Sequence, residues 1–328
     1  MKRSYNRSLA ALAGYACCAA LFVASLLACS EKGDPALPPA PDQPEQPEKP
    51  GQPEEPAPPT GDLYEQRLDL VWPEIPARLA ADTELVAVEN LVYRTCMGEI
   101  GGEEVRNYTI CFDRTKRGGW WVAYPLVASY TGKEKRPDKW AYDPEIDEKW
   151  QASLVDYSYP AKEYDRGHQI PNADRNCNAS IQAQTFYCSN STPQNNKLNG
   201  GEWAQLEGRI RSSWMCADTL YVVTGAVWED DKTTPDREGN ECAVPSHYFK
   251  VLLRTRRGNV RRAGDRIGEM DPSQLKAIGF WVANADGQGS FKTWTASVAE
   301  IERRTGFEFF PTVPAEVKEQ HDKADWGL

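Results

Sequence analysis

A histidine, an arginine and an aspartate stand within four residues of one another in Tyr164-Asp165-Arg166-Gly167-His168-Gln169-Ile170-Pro171. An imidazole can take a proton from water near neutral pH, and a guanidinium fork matches the oxygens of a phosphate or a carboxylate. Further along, Asn199, Glu207 and Arg211 bring an amide oxygen, a carboxylate and a second guanidinium. On a helix, Glu207 and Arg211 lie one turn apart on one face. Asn199 falls two turns before Glu207 and less than a quarter rotation away. Together these groups suit hydrolysis of a phosphodiester. That reaction needs a base for water, a divalent cation at the phosphate and positive charge for the transition state. By spacing alone, helix capping and surface ion pairing account for Asn199, Glu207 and Arg211 equally well. The chain holds three histidines. His247, on a strand-like segment, and His321, in a charged tail, lack such neighbours and read as structural.

The elements that must position these groups are a sheet and a few helices. β-branched and aromatic runs predict strands over 105–112 and 120–130, around a basic Gly-Gly turn at 114–119. Further strands are expected near 218–228, 243–255 and 278–283. The segment 185–190 reads as a strand returning toward the histidine, followed by a turn at 191–194. From Asn199 onward, Trp203, Leu206, Ile210 and Trp214 recur at close to 3.6 residues and predict a helix. A second helix is expected over 297–304, stopped by Gly306. The fold class is therefore α+β, with a central, mostly antiparallel β-sheet flanked by helices.

Three blocks occur in order: Asp165-Arg166-Gly167-His168, then Ser189-Asn190-x-x-Pro193-Gln194, then Leu198-Asn199-x-x-x-Trp203-x-x-Leu206-Glu207. They resemble the signature of the DNA/RNA non-specific endonuclease family, whose core is a ββα-metal finger. The resemblance extends to Trp121-Val122-Ala123-Tyr124, to the segment from Val244 to Val251 and to that from Thr305 to Pro311, covering most of residues 90–312. It implies that His168 is the general base and Asn199 the single protein ligand of Mg2+, with Mn2+ able to substitute. It implies that Glu207 orients the waters of that ion and that Arg211 and Arg166 meet phosphate oxygens. A further arginine is expected shortly before Trp140-x-x-Asp143-Pro144, and Arg136 is the candidate. The implied activity is a sugar-non-specific endonuclease acting on DNA and RNA and leaving 5′-phosphate ends. Two other readings remain. One is a catalytically silent surface lipoprotein that binds nucleic acid or glycan, and the other a phosphodiesterase or phosphatase for small substrates.

The amino-terminal part bears on location. Lys2, Arg3 and Arg7 precede an uncharged apolar stretch, residues 9–28, the pattern of an export signal. It ends in Leu26-Leu27-Ala28-Cys29, which resembles a bacterial lipobox, so residues 1–28 are expected to be removed and Cys29 to carry lipid at the outer membrane or cell surface. Residues 29–62 are rich in Pro, Glu and Gln and predict an extended tether, with reach on the order of 100 Å. Residues 63–328 then form one catalytic domain. Six cysteines remain in it: Cys96, Cys111, Cys177, Cys188, Cys216 and Cys242. Export predicts three disulfides, and pairing of sequence neighbours would join 96 with 111, 177 with 188 and 216 with 242. Zinc is disfavoured because no Cys-x-x-Cys spacing occurs there. The net charge of −10 argues against a strongly basic nucleic-acid-coating surface but does not describe the local field of a cleft.

Overall fold

The computed structural model describes residues 72–78, 86–137, 139–256 and 266–328, all of them within the unit Pro56–Leu328. The export segment, Cys29 and the proline-rich tether lie outside the described residues.

Seven strands make the main sheet: β1 (Leu91–Ile100), β2 (Glu103–Asp113), β3 (Gly118–Leu126), β6 (Leu220–Val227), β7 (His247–Thr255), β8 (Leu275–Ala283) and β9 (Thr295–Ala296). A separate hairpin is formed by β4 (Tyr164–His168) and β5 (Ser191–Asn195). The main sheet runs β9-β8-β7-β6-β3-β2-β1, and every neighbouring pair is antiparallel. Its centre is buried on both faces. Trp120, Trp121, Val122, Ala123 and Tyr124 of β3, like Leu220 to Val227 of β6, form continuous buried runs rather than an alternating pattern, with Thr224 the polar member of the second.

Two helical layers cover those faces. A helical run from Asn196 to Trp214, here called the finger helix, buries Leu198, Trp203, Leu206, Ile210 and Trp214, as its periodicity predicts. Trp203 lies 5.5 Å from Tyr248, and Trp214 stacks on Phe280 at 5.7 Å. On the other face the helix Val298–Thr305 presses Ile301 onto β8. A Cβ on Gly279 would lie 2.4 Å from Ile301 Cδ1, so this contact needs glycine. The Ser297 hydroxyl accepts from the Glu300 amide at 3.1 Å, and Gly306 closes the helix in the left-handed region at φ 75°.

Two expectations need correction. The strand β1 has no counterpart in the sequence reading. It is an edge strand in which Arg94, Thr95, Gly98 and Glu99 break the apolar pattern, and a bulge between Cys96 and Met97 shifts its register. The six cysteines among the described residues are all free thiols, so none of the three expected disulfides is formed. Cys96 faces Tyr108 and Cys111 faces Tyr93 across the β1–β2 ladder. At about 3.4 Å per residue, that offset of three positions puts the two Cα atoms beyond the roughly 7 Å a disulfide spans. Cys242 packs in a small cluster with Cys188, Tyr159 and Val244, whereas Cys216 sits beside Arg254 and Asp218. Cys177 is held through its amide by Tyr130 and Cys188 by Ala141. Tertiary packing sends sequence neighbours to different places.

Candidate active site

The site is built on a β-hairpin followed by a helix. β4 and β5 pair antiparallel, with Asp165 opposite Gln194, Gly167 opposite Thr192 and His168 opposite Ser191. The returning strand is thus 191–195, and the strand and turn expected over 185–194 are exchanged. Asn190 is the cause. Its side chain accepts from the Ile170 amide at 3.0 Å and donates to the carbonyls of Ile170 and Thr185 at 3.0 and 2.8 Å, fixing Cys188–Asn190 as a 3-10 turn. At Gly167 a Cβ would lie 2.4 Å from both Cβ and Oε1 of Gln194, so only glycine lets the strands close.

The helix begins with Asn195, whose side chain accepts from the amides of Lys197 and Leu198 at 3.0 and 3.2 Å. It is not straight. Asn199–Trp203 is π-helical, and Gly201 has φ −103° and ψ −120°, outside the helical region. The Gly200-Gly201 pair permits that break. The two-turn relation of Asn199 to Glu207 expected for a straight helix therefore does not hold. Asn199 is oriented instead by Asp165, whose Oδ2 accepts from its Nδ2 at 2.9 Å.

His168 sits in an aromatic cage, its ring 4.7 Å from Trp140 and 5.1 Å from Phe186, edge-on to the latter. Its Nε2 is enclosed and has no hydrogen-bond partner among the described residues. Burial, reinforced by the cations of Arg136 and Arg166, pushes the imidazole down to about 3. The ring is neutral at physiological pH. Arg136 lies 4.9 Å over Phe186 and Arg166 4.6 Å over Trp140, so both arginines flank the cage. Arg166 Nη1 also donates to the carbonyls of Leu154 and Tyr157 at 3.0 and 3.3 Å.

The second cluster lies along the finger helix. Arg211 Nη1 donates to Asp174 Oδ1 at 2.9 Å, and the Tyr124 hydroxyl donates to Asp174 Oδ2 at 3.0 Å. Glu207 is pushed up chiefly by burial, with Asp174 adding to the rise and the cation of Lys250 opposing it. The structure therefore brings Arg136, Arg166 and His168 together, ties Asn199 to the same strand through Asp165, and joins Glu207 to Arg211 around Asp174. His247 pairs with Glu229 at 2.7 Å and stacks on Trp281, a structural setting as expected.

Residues 90–316 match the DNA/RNA non-specific endonuclease family. The chain belongs to that family. It is 30% identical over 243 residues to "Nuclease EXOG, mitochondrial" of Danio rerio, covering 69% of this chain and 66% of that one. It is 28% identical over 248 residues to "Nuclease" of Serratia marcescens, covering 74% and 87%. Against "Endonuclease G, mitochondrial" of Homo sapiens it is 27% identical over 220 residues, covering 64% and 69%. The match to the Danio rerio protein thus spans just under two thirds of that relative. Among solved structures, a chain from the crystal structure of the EndoG/EndoGI complex aligns with TM-score 0.51 and 21% identity, over 68% of this chain and 88% of that one, which shows a shared fold.

Nucleases of this family generally use a divalent cation, and the side-chain oxygen of Asn199 suits one. Asn199 spends its amide nitrogen on Asp165, which leaves Oδ1 as its oxygen donor. Oxygen ligands suit a hard cation that keeps most of its waters. Among the described residues no three His, Cys, Asp or Glu side chains gather as a metal cluster. The motif reading missed the roles of Asp165, Asp174, Trp140 and Phe186. Asp165 lay inside a quoted block, but nothing in the sequence says that its carboxylate turns toward Asn199.

Proposed function

We propose that this family nuclease hydrolyses phosphodiester bonds of DNA and RNA without reading base or sugar, with His168 as general base. The observation that carries the reading is the state of His168. Its imidazole is neutral and caged between Trp140 and Phe186 with Arg136 and Arg166 alongside, and its Nε2 has no hydrogen-bond partner among the described residues, which leaves that nitrogen's lone pair uncommitted. Asn199 would hold a divalent cation, Mg2+ or Mn2+, which supplies charge stabilisation at the phosphate and at the departing 3′ oxygen. Glu207 would orient water near that ion. Arg136, Arg166 and Arg211 offer cations to the phosphate oxygens. Attack on phosphorus with loss of the 3′ oxygen leaves 5′-phosphate ends. Contacts confined to phosphate carry no sequence information, which accounts for indiscriminate cutting. The export signal and Cys29 support a lipid-anchored enzyme at the outer membrane or cell surface.

Purified protein is expected to nick closed-circular plasmid and degrade RNA with Mg2+ and to stop on EDTA. The His168→Ala variant should stay folded and lose cleavage. A folded His168→Ala protein that cuts at the normal rate refutes the assignment. Wild-type protein that binds DNA without cutting it makes the silent binding lipoprotein the better reading.

A further inference from the structure

In the segment Pro245-Ser246-His247-Tyr248-Phe249-Lys250-Val251-Leu252, Lys250 alternates with Tyr248 and Leu252 and so occupies a core-facing position of a strand. The structure buries it completely. A buried ammonium carries a heavy desolvation cost and persists only where its partners offset it. Lys250 has three kinds of partner. Nζ donates to the Thr224 hydroxyl at 2.7 Å, from the position directly opposite on β6. It lies 4.6 Å over the Trp203 ring of the finger helix. Its nearest anion is Glu207, with Oε1 at 3.9 Å, and the other charges facing it are those of Asp174 and Arg211.

We propose that Lys250 is a positioning residue of the nuclease site, its tethered ammonium holding the Glu207 carboxylate charged and aimed from beneath the finger helix. The inference rests on the reading that Glu207 serves the chemistry. Glu207 keeps 15% side-chain exposure while Lys250 has none, so the carboxylate spans the distance between a fixed buried cation and solvent. Thr224 and Trp203 fix the ammonium on two sides, and the fixed ammonium in turn restricts the rotamers open to Glu207. The lysine touches no substrate. It acts through the carboxylate alone.

The test is a double-mutant cycle on the full protein with Lys250→Met, Glu207→Gln and both, reading plasmid nicking with Mg2+ and denaturant unfolding without it. Lys250→Met is expected to lower kcat by about 10- to 100-fold, the usual effect of losing an outer-shell partner, with KM little changed. The double variant should be no slower than Glu207→Gln alone, and more stable than Lys250→Met alone because no uncompensated buried carboxylate remains. Thr224→Val keeps the lysine but removes its tether, and should lower kcat in the same direction even where Lys250→Met fails to fold. Wild-type kcat in Lys250→Met or in Thr224→Val, or losses that multiply in the cycle, would overturn the proposal. Wild-type protein that never nicks plasmid overturns the nuclease reading instead, and the unfolding cycle still reports whether the two charges are coupled.

Discussion

The neutral state of His168 has a consequence for stability that can be worked out in advance. An unfolded imidazole titrates near 6.5, whereas the folded one is pushed down to about 3 by burial and by Arg136 and Arg166. Below the unfolded value, the unfolded chain takes up a proton that the folded chain refuses. Stability from this group is therefore intact above 6.5 and falls as pH drops from 6.5 toward 3. From the ratio of proton-binding terms, the loss at pH 5.0 relative to 7.5 is about 2 kcal/mol. That figure is set almost wholly by the unfolded value, and it holds as long as the folded one stays below about 4. Urea unfolding of wild type and His168→Asn in EDTA, at both pH values, isolates it, because every other titrating group is common to the two proteins. Wild type should lose about 2 kcal/mol more than the variant on acidification. Equal losses would mean that the ring protonates normally in the folded state and is not the neutral base inferred above. The same neutrality assigns any acid limb in the cleavage profile near neutral pH to Glu207, whose carboxyl burial pushes up, and not to His168.

Two more changes probe how the site is held. Asp165→Ala removes the acceptor that fixes the Asn199 amide, and should cost about 10- to 100-fold in kcat with the thermal midpoint little moved, checked by plasmid nicking alongside circular dichroism. Gly167→Ala places a methyl 2.4 Å from Cβ of Gln194, which a side-chain rotation cannot relieve, and should destabilise by about 1–3 kcal/mol in denaturant unfolding; an unchanged midpoint would show that the β4–β5 hairpin can open.

What the sequence made legible follows from where each signal is local. The strands at the sheet centre were readable because they are continuous β-branched and aromatic runs buried on both faces, and the finger helix because its apolar residues recur at a fixed period. β1 was not, because an edge strand needs little apolar side chain and Arg94 and Glu99 interrupt its pattern. The exchange of strand and turn near 185–195 has a similar origin. Thr185-Phe186-Tyr187 has the composition of a strand and Pro193 that of a turn. Yet Asn190 clamps the first segment, and β4 pairs with the second.

The charges under the site were illegible for a stronger reason, since their meaning exists only in three dimensions. Asp174 alone is a buried anion, but it answers Arg211 and the Tyr124 hydroxyl. Arg175 beside it, also fully buried, donates to the Asp174 and Pro125 carbonyls and to the side chain and carbonyl of Asn107. Lys250 answers Glu207. Each member is tolerable only because the next one is there, since an unpaired buried charge costs far more than a pair contributes. Residues drawn from β2, β3, the 3-10 turn Asn172–Asp174, the finger helix and β7 must therefore arrive together. Removing one of them is expected to harm the site out of proportion to its own contacts, and removing its partner as well to recover part of that loss.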